Sequence, residues 1–301
     1  MRKLLICVFC AVCTNFALAQ DAPVDSITKY RQMYGVEYSV GDLTPTLCGL
    51  CEVPRPDVCQ GRAYEPILRL AEEKLGKKGK IEKVLVFCPD AIGAFLVPKY
   101  PEDFERLAAA ADGTAEGANV MDSVTPVCFG TIFTGASPEV HGIRYYARPV
   151  LKVQTLFDVF HAAGKKVAIV AVRNCSIDLI FRERDIDYYS MNSDAESFEL
   201  TKKLLAESDY DLIISYDGNY DHTMHAKGTD APESLAAMRD SIRRYCELAE
   251  LIDTCWASSH RMILFAPDHG AHNRPNGTGT HGTETEADMR VNHYYRIREG
   301  R

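Results

Sequence analysis

Met262-Ile263-Leu264-Phe265-Ala266 runs without a polar residue into DHGAHNRPNGTGTHGTETEAD, residues 268–288, a polar segment rich in Gly and His. A short, wholly apolar run of this kind reads as a strand covered on both faces, as in a parallel sheet flanked by helices. Three other runs share the character: Val84-Leu85-Val86-Phe87-Cys88, residues 167–172 (VAIVAV) and residues 211–216 (DLIISY). Residues 154–163, 195–208 and 232–258 carry helical patterns between them. In the last, Leu235, Met238, Ile242, Tyr245, Leu248 and Ile252 recur at steps of three or four, and Arg239, Arg243, Arg244 and Glu247 form a wet face. Strands alternating with helices predict an α/β fold, a three-layer αβα sandwich with a mainly parallel central sheet.

A chain of 301 residues with 46% apolar and 25% charged residues has the profile of a globular protein. It is large enough to bury roughly three quarters of its unfolded surface, so it needs no metal or disulfide merely to fold. The net charge of −8, with no Lys/Arg run interleaved with aromatics, argues against a nucleic-acid-binding surface. Arg2 and Lys3, the apolar run 4–12 and Ala17-Leu18-Ala19 before Gln20 have the three regions of a signal peptide, residues 1–19. Cleavage near Ala19 predicts an exported, periplasmic or extracellular protein. The alternative, a membrane anchor, is disfavoured because Thr14 and Asn15 interrupt a run already short of the ~20 apolar residues of a span, and no later segment is long enough. No linker, repeat or low-complexity stretch divides residues 20–301, which read as one domain. An oxidising compartment permits disulfides among Cys48, Cys51, Cys59, Cys88, Cys128, Cys175, Cys246 and Cys255, but most read as small buried apolar residues.

Chemistry is expected at the carboxyl ends of the strands, where open α/β sheets bind ligands. Asp90 follows the first apolar run; Asp221 and His225 follow the third; Asp268 and His269 follow the fourth, with His281 further along the same polar segment. A lone histidine is more often a core or surface residue than a ligand, but three Asp and three His in one topological position form a constellation. Carboxylate with imidazole suits zinc or another first-row dication better than magnesium or calcium, and six ligands suit two ions. A second element is Ser123-Val124-Thr125-Pro126-Val127-Cys128. Pro126 favours a first helical turn, placing Thr125 at a helix N-terminus, where it is either a capping residue or a hydroxyl poised where anions bind.

The order Asp90, Thr125, Thr134-Gly135, Pro138-Glu139-Val140-His141-Gly142-Ile143, Asp221-x3-His225, Asp268-His269-Gly270 and His281-Gly282 resembles the alkaline phosphatase superfamily. Within it, the type I phosphodiesterase/nucleotide pyrophosphatase-like branch is the most similar. The resemblance runs from about Val84 to Arg290. It implies an alkaline phosphatase-like sandwich with two zinc ions, one held by Asp221, His225 and His281, the other by Asp90, Asp268, His269 and the Thr125 oxygen. It further implies that Thr125 attacks the phosphorus of a small-molecule phosphate ester and that water then hydrolyses the phosphothreonine. His141 is assigned a structural role, and His222 and His272 are expected in surface loops.

Departures from the family pattern bear on the substrate. The Asn often found three residues past the nucleophile is Cys128, and the Asn expected after His-Gly-Ile is replaced within Arg144-Tyr145-Tyr146-Ala147. Cys128, Arg144, Tyr146 and Arg148 are therefore the candidate substrate-binding residues, and the choice between mono- and diesters does not carry over. Cys128-Phe129-Gly130 lacks a sulfatase context, and only 43 positions separate His225 from Asp268, too few for the cap of a phosphomutase. The competing class is a catalytically inactive secreted binding protein on the same fold. Residues 42–56 (DLTPTLCGLCEVPRP) resemble a segment that the family normally carries after its last histidine ligand, and Leu43, Leu47, Leu50 and Cys51 are expected on one helical stripe against the sheet.

Overall fold

The computed structural model describes residues 24–77 and 79–301; the signal peptide read at residues 1–19 lies outside the described residues. Among the described residues ten strands follow in order: β1 (Tyr38–Ser39), β2 (Lys83–Pro89), β3 (Gly113–Ala118), β4 (Val167–Val172), β5 (Asp187–Met191), β6 (Leu212–Asp217), β7 (Arg261–Phe265), β8 (His272–Asn273), β9 (Gly279–Thr280) and β10 (Arg290–Arg298). Eight of them form one sheet in the order β1-β3-β10-β7-β2-β6-β4-β5, and β8 and β9 pair as a separate antiparallel ribbon. In the large sheet β10 runs antiparallel to β3 and β7, while the remaining pairs are parallel.

The four apolar runs are β2, β4, β6 and β7, and both of their faces are covered. Val84 and Val86 belong to the core on one side and Leu85 and Phe87 to the core on the other, as the two-residue period of a strand requires. Helices Leu43–Cys51, Thr125–Thr134 and Leu156–Ala162 fill the first side with Leu47, Phe129, Phe133 and Phe157. Helices Pro101–Ala109, Asp194–Glu207 and Pro232–Cys255 fill the second with Phe104, Phe198, Met238 and Leu248. The expected three-layer α/β arrangement is thus the observed one. The long helix stops at Cys255, before the predicted residue 258, because the chain must turn through Ser259 to enter β7 at Arg261.

Helix Leu43–Cys51 is buried almost all round, not along one stripe: Thr44, Thr46 and Cys48 are as inaccessible as Leu43, Leu47, Leu50 and Cys51. Its polar groups are satisfied inside, Thr44 Oγ1 donating to the Ile132 carbonyl at 2.7 Å and Thr46 Oγ1 to that of Asp42 at 2.6 Å. Buried Asp42 precedes the helix and accepts from Arg31 Nη2 at 2.7 and 2.8 Å and from the amides of Ser39 and Arg62. All eight cysteines among the described residues are free thiols, and burial pushes those of Cys48 and Cys51 up to about 12, as suits packing groups. Leu47→Ala is expected to lower the free energy of unfolding by about 2–5 kcal/mol; a urea transition unchanged from wild type would show that this helix is not part of the core.

Candidate active site and metal centre

The centre of the sheet, β7-β2-β6, sets the site's position. Phe87 of β2 is in register with Phe265 of β7, and Pro89 with Asp217 of β6, so the three strands end at one level. Asp90 leaves β2 there, and Asp268 and His269 follow β7. Asp221 and His225 do not sit in a loop past β6 but on a helix, Asn219–Lys227, where a spacing of four puts both side chains on one face. His281 arrives from the turn after β9.

These six residues form two groups, Asp221 with His225 and His281, and Asp90 with Asp268 and His269; within each, the potential ligand atoms lie within 4.8 Å of one another. The second group is sealed from solvent, Asp90, Asp268 and His269 being at most 1% exposed. The first is partly open at His225 and Asp221. Every histidine turns its Nδ1 to a main-chain carbonyl: His225 to Gly279 at 3.3 Å, His281 to Ser123 at 3.0 Å and His269 to Gly270 at 3.0 Å. Each Nδ1 therefore carries the proton, and each Nε2 presents a lone pair inward.

Those lone pairs face mainly acceptors. His225 Nε2 lies 3.0 Å from His281 Nε2, and the two lie 3.2 and 3.3 Å from Asp221 Oδ1. His269 Nε2 lies 3.4 Å from Asp90 Oδ1 and 3.3 Å from Asp268 Oδ2. Asp90 Oδ1, Asp221 Oδ1 and Asp268 Oδ2 are buried and have no hydrogen-bond donor. Burial, then the charge of Asp221, pushes the Asp90 carboxyl up to about 7. Burial, then the charge of Asp90, raises that of Asp268 well above the usual range, and burial keeps His269 neutral. Converging acceptors of this kind fit divalent cations, and the mixture of imidazole and carboxylate fits a first-row ion.

Thr125 borders the second group, its Oγ1 3.3 Å from Asp90 Oδ2 and 3.4 Å from His269 Nε2. The helix Thr125–Thr134 begins one residue earlier than a capping threonine would allow: extended Val124 is the cap, Thr125 the first helical residue and Pro126 the second. The hydroxyl is thus turned from capping to the acceptor cluster. A cleft of about 400 Å³ opens over it, lined also by Asp221, Tyr146, Arg148, Cys175 and Ser176.

Two of the four candidate substrate residues reach that cleft. The Tyr146 ring lies 5.9 Å from the guanidinium of Arg148, whose Nη1 donates to the Asn174 carbonyl at 2.5 Å. Cys128 does not reach it: one helical turn from Thr125 its thiol points into the core, 2.9 Å from Asn119 Nδ2. Arg144 lies outside as well, donating to the Glu139 carbonyl at 3.3 Å. His141 is buried, contacts Thr131 Oγ1 at 3.0 Å and accepts from the Ile143 amide, with burial lowering its pKa to about 4. His222 is exposed, whereas His272 is tied to buried Asp288 at 2.7 Å.

Two supporting residues escaped the sequence reading. Tyr216, the aromatic near the end of β6, donates its hydroxyl to Asp90 Oδ2 at 2.5 Å. Asp288 clasps the polar segment that carries His281, binding His272 through one oxygen and the amide and hydroxyl of Thr283 through the other. The available signal for Tyr216 was a hydroxyl near the carboxyl end of a mainly apolar strand; none marked Asp288, which lies in a polar segment of no regular pattern just before β10.

Buried acceptor clusters at the carboxyl ends of central strands, on a mainly parallel sheet between helical layers, define an alkaline phosphatase-like α/β fold. Solved structures share it. Murine ectonucleotide pyrophosphatase/phosphodiesterase 5 matches with a TM-score of 0.52 and 19% identity over 64% of this chain and 58% of its own. An inactive form of that protein in complex with AMP gives a TM-score of 0.51 at 19% identity, and the human protein 0.51 at 17% identity, with the same coverage of 64% and 58%. The chain thus spans less than two thirds of the length of these proteins, and the superfamily resemblance holds at the level of the fold. No protein-family profile and no curated protein matches the sequence. Among the described residues no helix is long and apolar enough to cross a membrane.

Tyr216→Phe removes one hydroxyl from the shell around Asp90. It is expected to weaken divalent-cation binding by about 10–100-fold with little change in fold. Equal affinities in a competition with a chromogenic chelator would reduce Tyr216 to a packing residue.

Proposed function

We propose that this protein is an exported hydrolase of phosphoric esters that uses Thr125 as nucleophile and two divalent cations, zinc by donor set. The observation that carries the reading is the Thr125 hydroxyl, at the start of a buried helix, touching a buried group in which Asp90 Oδ1 and Asp268 Oδ2 have no donor. Asp221, His225 and His281 would hold one ion, and Asp90, Asp268 and His269, with the Thr125 oxygen, the other. Cations bound there supply a lowered hydroxyl pKa and stabilisation of charge on the phosphoryl oxygens.

The chain's own residues do the rest. Asp90 Oδ2 accepts from the Thr125 hydroxyl and from Tyr216, which leaves the lone pairs of Oγ1 free to face the cleft. The first amides of helix Thr125–Thr134 add a positive dipole end where a phosphoryl oxygen gathers charge. The Oγ1–P bond forms as the ester O–P bond breaks, the Oγ1 proton passing to Asp90 Oδ2 and the ester oxygen leaving as an alcohol with a proton from solvent; water then displaces Oγ1, which takes its proton back, releasing phosphate or a monoester. Tyr146 and Arg148, which line the same cleft, offer an aromatic ring and a guanidinium to the substrate, a small-molecule phosphate ester.

Residues 20–301 act as one catalytic domain in this reading, with residues 42–56 in the packing place of the family's C-terminal segment. Export through cleavage near Ala19 is tested by N-terminal sequencing of the secreted protein. The second reading, an inactive binding protein on the same fold, is disfavoured because Thr125 and all six candidate ligands lie together. Metal analysis with parallel assays on p-nitrophenyl phosphate and bis-p-nitrophenyl phosphate separates binder, monoesterase and diesterase.

Thr125→Ala is expected to cut turnover by at least about a thousandfold while both cations are retained; near-normal turnover in a metal-loaded variant would refute the threonine mechanism. Asp221→Ala or His281→Ala is expected to release about one ion per chain and Asp268→Ala the other, as counted by elemental analysis. Two ions retained in either class would overturn the division of ligands.

A further inference from the structure

His293 lies on β10, fully buried, beside the point where β7 ends. The β10–β7 ladder closes with Tyr294 opposite Phe265, and at His293, one residue earlier on β10, β7 has ended and its chain continues through Pro267 to Asp268 and His269. A proline interrupts the ladder there, since it has no N–H to give. His293 replaces the missing strand contact with its side chain: Nε2 lies 2.8 Å from the Pro267 carbonyl oxygen.

That carbonyl can only accept, so Nε2 carries the proton and Nδ1 of the neutral ring must accept. Nδ1 faces the hydroxyl of Tyr38 at 2.9 Å, and Tyr38 is itself fully buried. The donors therefore run in one direction, from Tyr38 Oη to His293 Nδ1 and from His293 Nε2 to the Pro267 carbonyl. The proton sits on the opposite nitrogen from that in His225, His269 and His281, which separates His293 in kind from the three candidate ligands. Burial lowers the His293 pKa to about 4, which keeps the ring neutral.

The peptide so held is the one that leads into Asp268-His269. Its neighbours are fixed by main-chain contacts, the Ala266 amide to the Phe87 carbonyl at 2.8 Å and the Gly270 amide to the Asp288 carbonyl at 2.9 Å. Between those anchors, Asp268 Oδ1 accepts from the Ala91 amide at 3.2 Å while Oδ2 is left to the cluster. We propose that His293, oriented by Tyr38 of the N-terminal strand β1, is a positioning residue that sets the Asp268-His269 peptide for cation binding at the buried group. The inference rests on the two-cation reading above. It gives β1, at the far edge of the sheet, a role in the chemistry.

The test uses the mature full-length chain with Co2+ as the probe, following the visible absorption of the bound ion, its stoichiometry and urea unfolding. His293→Leu is expected to keep the ion at Asp221, His225 and His281, to weaken the other by about 10–100-fold, and to alter the absorption of the buried site. His293→Gln can donate its amide to Pro267 and accept from Tyr38, so it is expected to restore affinity to within about threefold. Tyr38→Phe, which removes one hydroxyl, is expected to fall between them and covers the case in which His293→Leu does not fold. Wild-type affinity and spectrum in His293→Leu, or in Tyr38→Phe if the Leu variant does not fold, would overturn the proposal, as would equal weakening of both sites. A wild-type chain that binds two Co2+ while these variants behave like it refutes the role of His293 alone. A wild-type chain that takes up no Co2+ refutes the cation reading and this inference with it.

Discussion

Three carboxylates and three imidazole lone pairs converge within two small volumes, one of them sealed from water, and one oxygen of each carboxylate, Asp90 Oδ1, Asp221 Oδ1 and Asp268 Oδ2, finds no protein donor there. Such an arrangement is tenable only if something positive occupies it, a cation or, failing that, protons. Much of the surrounding structure can be understood as enforcing that convergence. Parallel strands bring Asp90, Asp268 and the helix bearing Asp221 to one end because β7, β2 and β6 are neighbours in matched register. Three main-chain carbonyls fix which nitrogen of each histidine faces inward. The helix that begins at Thr125 adds the one hydroxyl at the border.

The acceptor geometry also separates the two groups in character. The group at Asp221 is open to the cleft, and its helix ends in exposed residues, so an ion there would meet solvent and substrate directly. The group at Asp90 lies beneath Thr125 and is closed by Tyr216 and the Ala91 amide. An exposed ion is suited to the side where a leaving oxygen departs and water enters, a buried one to the side where the nucleophile is held. That asymmetry follows from burial alone.

Legibility followed the strength of the local signal. β2, β4, β6 and β7 were readable because strands buried on both faces must be apolar at every position. β3 was not: Gly113-Thr114-Ala115-Glu116-Gly117-Ala118 has little strand propensity and is a strand because β10 and β1 pair with it. β10 mixes Arg, Asn and His with aromatics, so its pattern is weak until its neighbours are known. The candidate ligand residues were legible because they stand in order just past the strands, whereas the wall of the cleft was not. Cys128 was placed by its distance from Thr125 along the sequence, but three residues along a helix that is buried all round can point toward the core as readily as toward a cleft. Tyr146 and Arg148 lie on an irregular segment whose path no periodicity predicts, and it is that path which brings them over the site.

The same acceptors bear on stability. A buried oxygen without a donor costs about 1–3 kcal/mol, and three of them weigh against a total of about 5–15 kcal/mol for a folded domain. Protons relieve part of this strain, since burial and neighbouring charge already hold Asp90 near neutrality and Asp268 above the usual range. A cation taken up at the buried group would have to expel those protons, so its affinity there would rise with pH through the range in which Asp90 and Asp268 ionise. The extensive core on both faces of the sheet is what allows the chain to carry this cost before a cation binds. A smaller domain with the same six residues would have less burial to set against it and would depend on the ion to fold at all.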